Sequence, residues 1–303
     1  MPEIFQYEFM NRAIVASVLV GATAPAFGVF LVLRRLALIA DTLSHVAFAG
    51  VAIALITKTF TPIVALIATT TAAVSIEELR MRRLLPGDAV LALFLYGALA
   101  LAVVLISAAD GFNSTIFSYL FGSLLAVSNT DLWWMVTLAL VIALFMFMFR
   151  FELAQISFDS DLAKTNGVRV HMLNLGLAVL TAATITVSMR VVGILLVGAL
   201  IVIPVLVSIR VVKGLTRTVL VSSAIGVFVA VFGMVISFYA DLAPGGSIVL
   251  TSIALLIIVE AGAFIKRSSG SSQLIQSSDH THEHEFHAHG VDESATDDRQ
   301  SHR

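Results

Sequence analysis

The sequence predicts an all-α polytopic membrane protein. Hydrophobic residues make up 58% of the 303 residues and charged residues only 13%, and the mean hydropathy is +0.98. Apolar runs of about twenty residues recur along the chain, which is the length that an α-helix needs to cross a bilayer. Because no soluble domain of this length needs so much apolar surface, we expect most of the chain to lie in a membrane.

Hydropathy and helix-breaking residues predict about nine transmembrane helices; eight is the alternative if one weak segment is peripheral. The predicted spans are 11–33, 37–57, 60–79, 87–107, 130–149, 172–189, 191–211, 217–238 and 248–265. Residues 114–128 are apolar but too short to cross. We therefore predict a short re-entrant or peripheral helix there, buried against other protein.

The distribution of basic residues predicts the orientation of these spans. Residues 1–267 hold sixteen Lys and Arg, and thirteen of these lie at every second connection. Because cytoplasmic connections carry an excess of Lys and Arg, the N-terminus is predicted outside and the C-terminus in the cytoplasm. Residues 1–10 contain two Glu and no basic residue, so they lack the basic start of a cleavable signal peptide.

The charge balance divides the chain into a transmembrane domain, residues 1–267, and a cytoplasmic tail, residues 268–303. The tail has two basic residues against seven acidic ones and holds six of the eight histidines. Its Ser- and Gly-rich start is typical of a flexible linker, and its polar composition predicts disorder. Weak metal binding is predicted for five of its histidines, with a solubilising role as the alternative: His280, His282, His284, His287 and His289.

Asp41 and His45 are the strongest candidate site. Their spacing places both side chains on one face of a helix, one turn apart, within an apolar segment. One oxygen and one nitrogen ligand suit a divalent cation such as Zn²⁺ or Mn²⁺. The chain has no cysteine, which excludes thiolate ligands and disulfides.

This segment allows two other interpretations. Asp41 and His45 could form a hydrogen-bonded pair that only fastens helices together. Ser44 could act as a nucleophile with His45 as its base, but adjacent helical residues point about 100° apart and do not readily meet. Outside this segment, Arg190 is expected at a tight turn, His171 at a helix start, and Glu260 within a span.

Three blocks of the sequence together resemble the permease subunits of metal-importing ABC transporters, the ABC-3 type. The blocks, in the order of the family, are Asp41-Thr42-Leu43-Ser44-His45 with Ala49-Gly50-Val51-Ala52, Phe158-Asp159 with Ala163 and Gly167-Val168, and Val191-Val192-Gly193-Ile194-Leu195-Leu196-Val197 with Ile203-Pro204. The resemblance covers about residues 10–267. Residues around Asp41 are more similar to the zinc-importing branch than to the manganese branch.

The resemblance implies a permease subunit of an ATP-driven zinc importer in a bacterial inner or plasma membrane. Asp41 and His45 would meet the transported Zn²⁺ or Mn²⁺, delivered by an extracytoplasmic metal-binding protein. The segment 158–168 would dock on an ABC ATPase through Phe158, Asp159, Ala163 and Gly167, with Gly167 ending its helix.

The residues themselves agree with a subunit that is not an enzyme. The chain has no phosphate-binding loop of the G-x-x-x-x-G-K-[ST] type, so hydrolysis of ATP by that route belongs to another subunit. The connection 150–170 is longer than a helix bundle needs, which indicates a surface for a partner. A homodimer of the permease would offer four ligands, enough for a tetrahedral site. No permanently bound cofactor and no nucleic acid partner are expected.

The alternative function is a stand-alone, proton-coupled carrier for zinc or manganese that uses Asp41, Glu260 and the histidines. Carriers of that type commonly have fewer spans and a folded cytoplasmic domain. An intramembrane hydrolase is a weaker alternative, because the sequence offers neither a nucleophile with its base nor two histidines with a glutamate.

Overall fold

The computed structural model describes residues 6–82, 85–109, 114–123, 125 and 127–264. Within these ranges every regular element is helical. The helices are α1 (Glu8–Leu33), α2 (Leu38–Thr57), α3 (Thr61–Met81), α4 (Gly87–Ala108), α5 (Ser114–Phe121), α6 (Asn129–Met148), α7 (Arg150–Phe158), α8 (Ser160–Thr165), α9 (Val170–Ser188), α10 (Ile194–Val211), α11 (Leu215–Ala240) and α12 (Pro244–Phe264).

Nine of the helices in the described residues are long and apolar enough to cross a membrane: α1 to α4, α6 and α9 to α12. This confirms the prediction of nine spans in a multi-pass membrane protein. Helices satisfy their own backbone hydrogen bonds, which is why each apolar run of this length folds as one. Helix α1 begins three residues before its predicted span, and α11 extends two residues beyond its predicted span at each end.

The short helix predicted within 114–128 is α5, which has eight residues. Its buried Ile116 and Leu120 pack in a cluster with Phe48 of α2 and Ile194 of α10. The close approach requires glycine at two positions with positive φ, since a side chain on Gly193 would overlap the carbonyl oxygen of Leu120 and one on Gly122 that of Val191. Helix α5 is therefore fixed against the connection between α9 and α10.

Helices α7 and α8 occupy the long connection between α6 and α9. Leu153 of α7 is buried against Phe30 of α1 and Leu177 of α9, and Ala163 of α8 is buried against Val170. These contacts place the end of α1, the start of α9 and both short helices at one end of the bundle, which we call the coupling end.

The chain divides into two units, Met1–Leu256 and Ile257–Arg303. The first contains α1 to α11 and the first turns of α12, and the second begins within α12. The boundary predicted at residue 267 and the tail histidines His280, His282, His284, His287 and His289 lie outside the described residues, so both remain predictions.

Candidate functional site

Asp41 and His45 lie on α2, one turn apart, as their spacing predicts. Both side chains are half-buried, while the residues between them are buried. The hydroxyl of Ser44 donates to the carbonyl oxygen of Ala40 at 2.9 Å. Since this bond lies within the helix, the hydroxyl is directed away from the imidazole, which argues against the nucleophile interpretation.

The imidazole of His45 has one nitrogen without a partner. Nδ1 is buried and has no hydrogen-bond partner among the described residues. A buried polar atom left in this state costs about 1–3 kcal/mol. The nitrogen is therefore available to a ligand. It does not form a hydrogen bond with Asp41, as it would if the two side chains were a pair that only fastens helices together.

Helix α10 packs closely beside Asp41. A Cβ atom built on Gly198 would lie 3.5 Å from the backbone nitrogen of Asp41, which is ordinary van der Waals contact. Val197 and Ile201 of α10 share a buried cluster with Leu43 of α2. These contacts fix the backbone that carries Asp41, and a rigid backbone is what a binding site needs to position its ligands.

Helix α2 is also held from its other sides. The hydroxyl of Thr42 donates to Leu38 at 2.9 Å and lies 3.4 Å from the carbonyl oxygen of Leu91 on α4. Gly50 approaches α3 so closely that a Cβ atom there would lie 2.8 Å from the Cα atom of Ala65. Helix α2, which carries the two candidate ligands, is thus packed against α3, α4 and α10.

Asp41 and His45 alone would make an incomplete metal site. Among the described residues, no group of three or more His, Cys, Asp or Glu side chains is placed to hold a metal ion. Asp41 and His45 would give two ligands, whereas a closed zinc site has four. A metal ion bound there would take its further ligands from outside this pair.

The four residues predicted to contact an ATPase have different structural roles. Phe158 is 80% exposed. Asp159 caps α8, because its Oδ1 accepts from the backbone nitrogens of Asp161 and Leu162 at 2.9 and 3.0 Å. Ala163 is only 1% exposed, so it packs α8 against the bundle.

Gly167 ends α8, as its sequence position predicts. Its φ is +81°, and its backbone nitrogen donates to the backbone carbonyl oxygen of Lys164 at 3.0 Å. Leu162, one turn from Phe158 across the cap, is 59% exposed. The exposed apolar surface of this segment is therefore Phe158 and Leu162, while Asp159, Ala163 and Gly167 shape the backbone beneath it.

The other polar residues named in the sequence analysis do not lie on α2. Arg190 occupies the turn between α9 and α10, as predicted, and donates to Asp131 at 2.8 Å. His171 is the second residue of α9, with Nε2 3.8 Å from Glu78. Glu260 lies within α12.

Sequence reasoning missed a buried polar cluster at the coupling end. Arg34 donates to Asn174 at 2.6 Å, and Arg80 lies 3.2 Å from Glu77. Glu77 is only 3% exposed. Burial lowers the pKa of Arg34, the carboxylate of Glu77 opposes this shift, and Arg80 adds to it. The only signal in the sequence was the presence of basic residues at a predicted cytoplasmic connection.

Comparison with known proteins identifies the family. Residues 6–263 match the ABC 3 transport family. The chain is 34% identical over 258 residues to a probable metal transport system membrane protein of Treponema pallidum, covering 85% of this chain and 97% of that one. It is 29% identical to the manganese import system permease protein ScaB of Streptococcus gordonii, covering 84% and 91%.

A solved structure has the same fold. The complex of PsaBC from Streptococcus pneumoniae with a Fab contains a chain that superposes with a TM-score of 0.76 at 29% identity, covering 84% of this chain and 92% of that chain. The relatives are named as permeases and membrane proteins of metal transport systems, which agrees with a subunit that is not an enzyme. The chain belongs to the ABC 3 transport family and is a metal-transport permease.

Proposed function

We propose that the chain is the permease of an ATP-driven importer for a divalent transition metal, with Asp41 and His45 as ligands along the translocation path. The observation that carries this proposal is the unpartnered, buried Nδ1 of His45, one turn from a carboxylate inside an enclosed apolar helix. Ionisable side chains at membrane depth are costly and mark ion pathways. A carboxylate and an imidazole together partly replace the hydration shell of a dication.

The transported ion is zinc or manganese. Nitrogen and oxygen ligands accept both ions. The resemblance around Asp41 favours zinc, whereas the relative ScaB is named a manganese import permease. Uptake of radioactive zinc in the presence of manganese, and of radioactive manganese in the presence of zinc, decides between the two ions. The preferred ion is the one that suppresses uptake of the other at the lower competitor concentration.

A homodimer would complete the site. Two copies around a two-fold axis contribute two Asp41 and two His45 side chains, enough for a tetrahedral arrangement. An ABC ATPase subunit would bind the coupling end through Phe158 and Leu162, and an extracytoplasmic metal-binding protein would deliver the ion to the opposite end. This orientation places the C-terminal tail in the cytoplasm, in accordance with the excess of basic residues at the coupling end.

The C-terminal histidines are proposed to bind zinc weakly. They lie in a tail predicted to be disordered, so binding must order the chain, which lowers affinity. Imidazoles are neutral above about pH 6.5 and can then act as ligands. In the cytoplasm they would meet imported metal after transport, which suits buffering or feedback better than capture.

The test is uptake into liposomes that contain the permease and its ATPase, with the extracytoplasmic metal-binding protein supplied on the side that it faces in the cell. Wild-type protein should accumulate metal only when ATP is supplied, and Asp41→Asn and His45→Ala should abolish accumulation while the complex still assembles. Thr69→Val, on α3, is the matched control for loss of one polar group from the bundle. Metal accumulation driven by a pH gradient without ATP would instead support the proton-coupled carrier.

A further inference from the structure

Arg34 joins three helices at the coupling end. It follows the last residue of α1, and its guanidinium donates to Oδ1 of Asn174 on α9. The negative carboxylate of Glu77 on α3 favours the positive charge of Arg34. We call Arg34, Glu77, Arg80 and Asn174 the Arg34 cluster. Glu77 and Asn174 are buried, so the cluster forms part of the protein interior rather than a solvated surface pair.

On one side, the Arg34 cluster is rigidly connected to the candidate metal ligand Asp41. The turn between α1 and α2 has little freedom, since Leu36 is buried and its nitrogen donates to Leu31 at 2.7 Å. The nitrogen of Ile39 donates to Leu36 at 3.0 Å. Asp41 follows within the first turn of α2, so a displacement of Arg34 is carried into its position.

On the other side, the cluster is rigidly connected to α8. The nitrogen of Val168 donates to Ala163 at 3.0 Å, which closes the connection between α8 and α9. Ala163, Val170 and Leu173 share one buried cluster. Helix α8 and the first turns of α9, including Asn174, are therefore expected to move as one body.

We infer that the Arg34–Asn174 hydrogen bond is the link through which movement of α8 reaches Asp41. This inference rests on the proposed function, in which α8 docks on the ATPase. Arg34 and Asn174 are positioning residues, since they act on the metal through α2. A short hydrogen bond from the charged, half-buried Arg34 to a buried acceptor is strong and directional, so it transmits a displacement that a mobile surface pair would absorb.

A second, apolar contact sets the expected size of the effect. Phe30, Leu153 and Leu177 pack together beside the cluster, so α1 and α9 remain in contact when the hydrogen bond is removed. The loss of coupling should be partial. Residues along such networks change coupling by about two- to thirtyfold, and the retained apolar contact leads us to expect the middle of that range, about three- to tenfold.

The experiment measures metal taken up per ATP hydrolysed by the permease–ATPase complex in liposomes supplied with the extracytoplasmic metal-binding protein. Asn174→Leu keeps the approximate volume of the side chain and removes the acceptor, and it should lower this ratio about three- to tenfold. Asn174→Asp keeps an acceptor for Arg34 and should restore it. Arg82→Ala, which removes an exposed ion pair with Glu78 on α3, is the matched control and should keep the wild-type ratio.

Each outcome decides the inference. An unchanged ratio in Asn174→Leu overturns it, and so does a reduced ratio that Asn174→Asp fails to restore. If Asn174→Leu does not assemble, Arg34→Met replaces it, because methionine keeps a long unbranched side chain and has no hydrogen-bond donor. A wild-type ratio in that variant also overturns the link. A wild-type complex that takes up no metal refutes the proposed function, whereas wild-type uptake with an unchanged variant refutes the link alone.

Discussion

Replacing His45 with leucine should abolish metal uptake without lowering the stability of the bundle. In the native protein the buried Nδ1 has no hydrogen-bond partner among the described residues, and such an atom costs about 1–3 kcal/mol. Leucine fills a similar volume and removes this cost. Because His45 is only half-buried, we expect the lower part of that range, a gain of roughly 1 kcal/mol in the free energy of unfolding.

The assay compares thermal unfolding in detergent with metal uptake in liposomes. A gain of this size raises the melting temperature by about 2 °C in a chain of this length. Thr69→Val is the control, and its expected result is the opposite one: a lower melting temperature with unchanged metal uptake. Thr69 is buried and hydrogen bonds to Thr186 at 3.0 Å, so its loss should cost about 1 kcal/mol and leave uptake intact.

Two results would refute this reasoning. Normal uptake by His45→Leu would show that the imidazole is not a ligand in the path. A fall of several degrees in the melting temperature would show that His45 stabilises the bundle, as a buried structural residue does. The combination of lost uptake and retained stability distinguishes a ligand from a packing residue, because binding sites keep side chains that folding alone does not favour.

Four further predictions concern the site, the docking surface, the bundle and the tail. Asp41→Asn keeps the shape but removes the negative charge, so metal affinity measured by calorimetry should fall at least about tenfold, and unchanged affinity would exclude the carboxylate. Phe158→Ala should weaken copurification of the ATPase, since exposed aromatic residues dominate interface energies; equal recovery would place docking elsewhere. Gly226→Ala should lower the melting temperature, because its Cβ would lie 2.6 Å from Cγ of Pro25, whereas a Cβ on Gly97 meets nothing within 4 Å and Gly97→Ala should be neutral or slightly stabilising. Truncation after Lys266 should leave uptake intact at low external zinc, and a truncated protein that inserts but does not transport would give the tail an essential role.

Much of the fold was predictable because the bilayer restricts the solutions. An apolar run of about twenty residues must satisfy its backbone internally, so hydropathy gave all nine spans. The spacing of Asp41 and His45 placed them on one face for the same reason, since the helical period fixes the direction of side chains four residues apart. The short helix near 114–128 followed from a run too short to cross.

Contacts between distant segments could not be predicted from the sequence. Arg34 and Asn174 lie 140 residues apart along the chain, and neither has a local pattern that indicates the other. In the sequence, Glu77 stands beside Glu78, Arg80 and Arg82, a pattern typical of a solvated helix end. The structure shows that Glu77 is nevertheless buried.

Segment 158–168 shows a related limit of prediction from the sequence. A resemblance of motifs selects positions that a family needs, but it does not distinguish residues that touch a partner from residues that shape the backbone. Phe158 is exposed while Ala163 is buried, and Asp159 caps the helix. The distinction depends on which face of α8 packs against α9, and a six-residue helix carries too little periodicity to show it.

In the proposed function, an incomplete site in each chain would give the importer a means of releasing its ion. A cation held by all four ligands of a dimer binds tightly, whereas the same cation held by one Asp41 and one His45 binds weakly, because fewer ligands replace its hydration shell. In the proposed function, relative movement of the two α2 helices therefore changes affinity without any change of protonation. Helix α2 is fixed within its own chain by α10 and α4, so such a movement displaces the ligand pair as a unit. This is why a connection from the coupling end to the start of α2, where Arg34 lies, is a suitable place for ATP-driven motion to act on the metal.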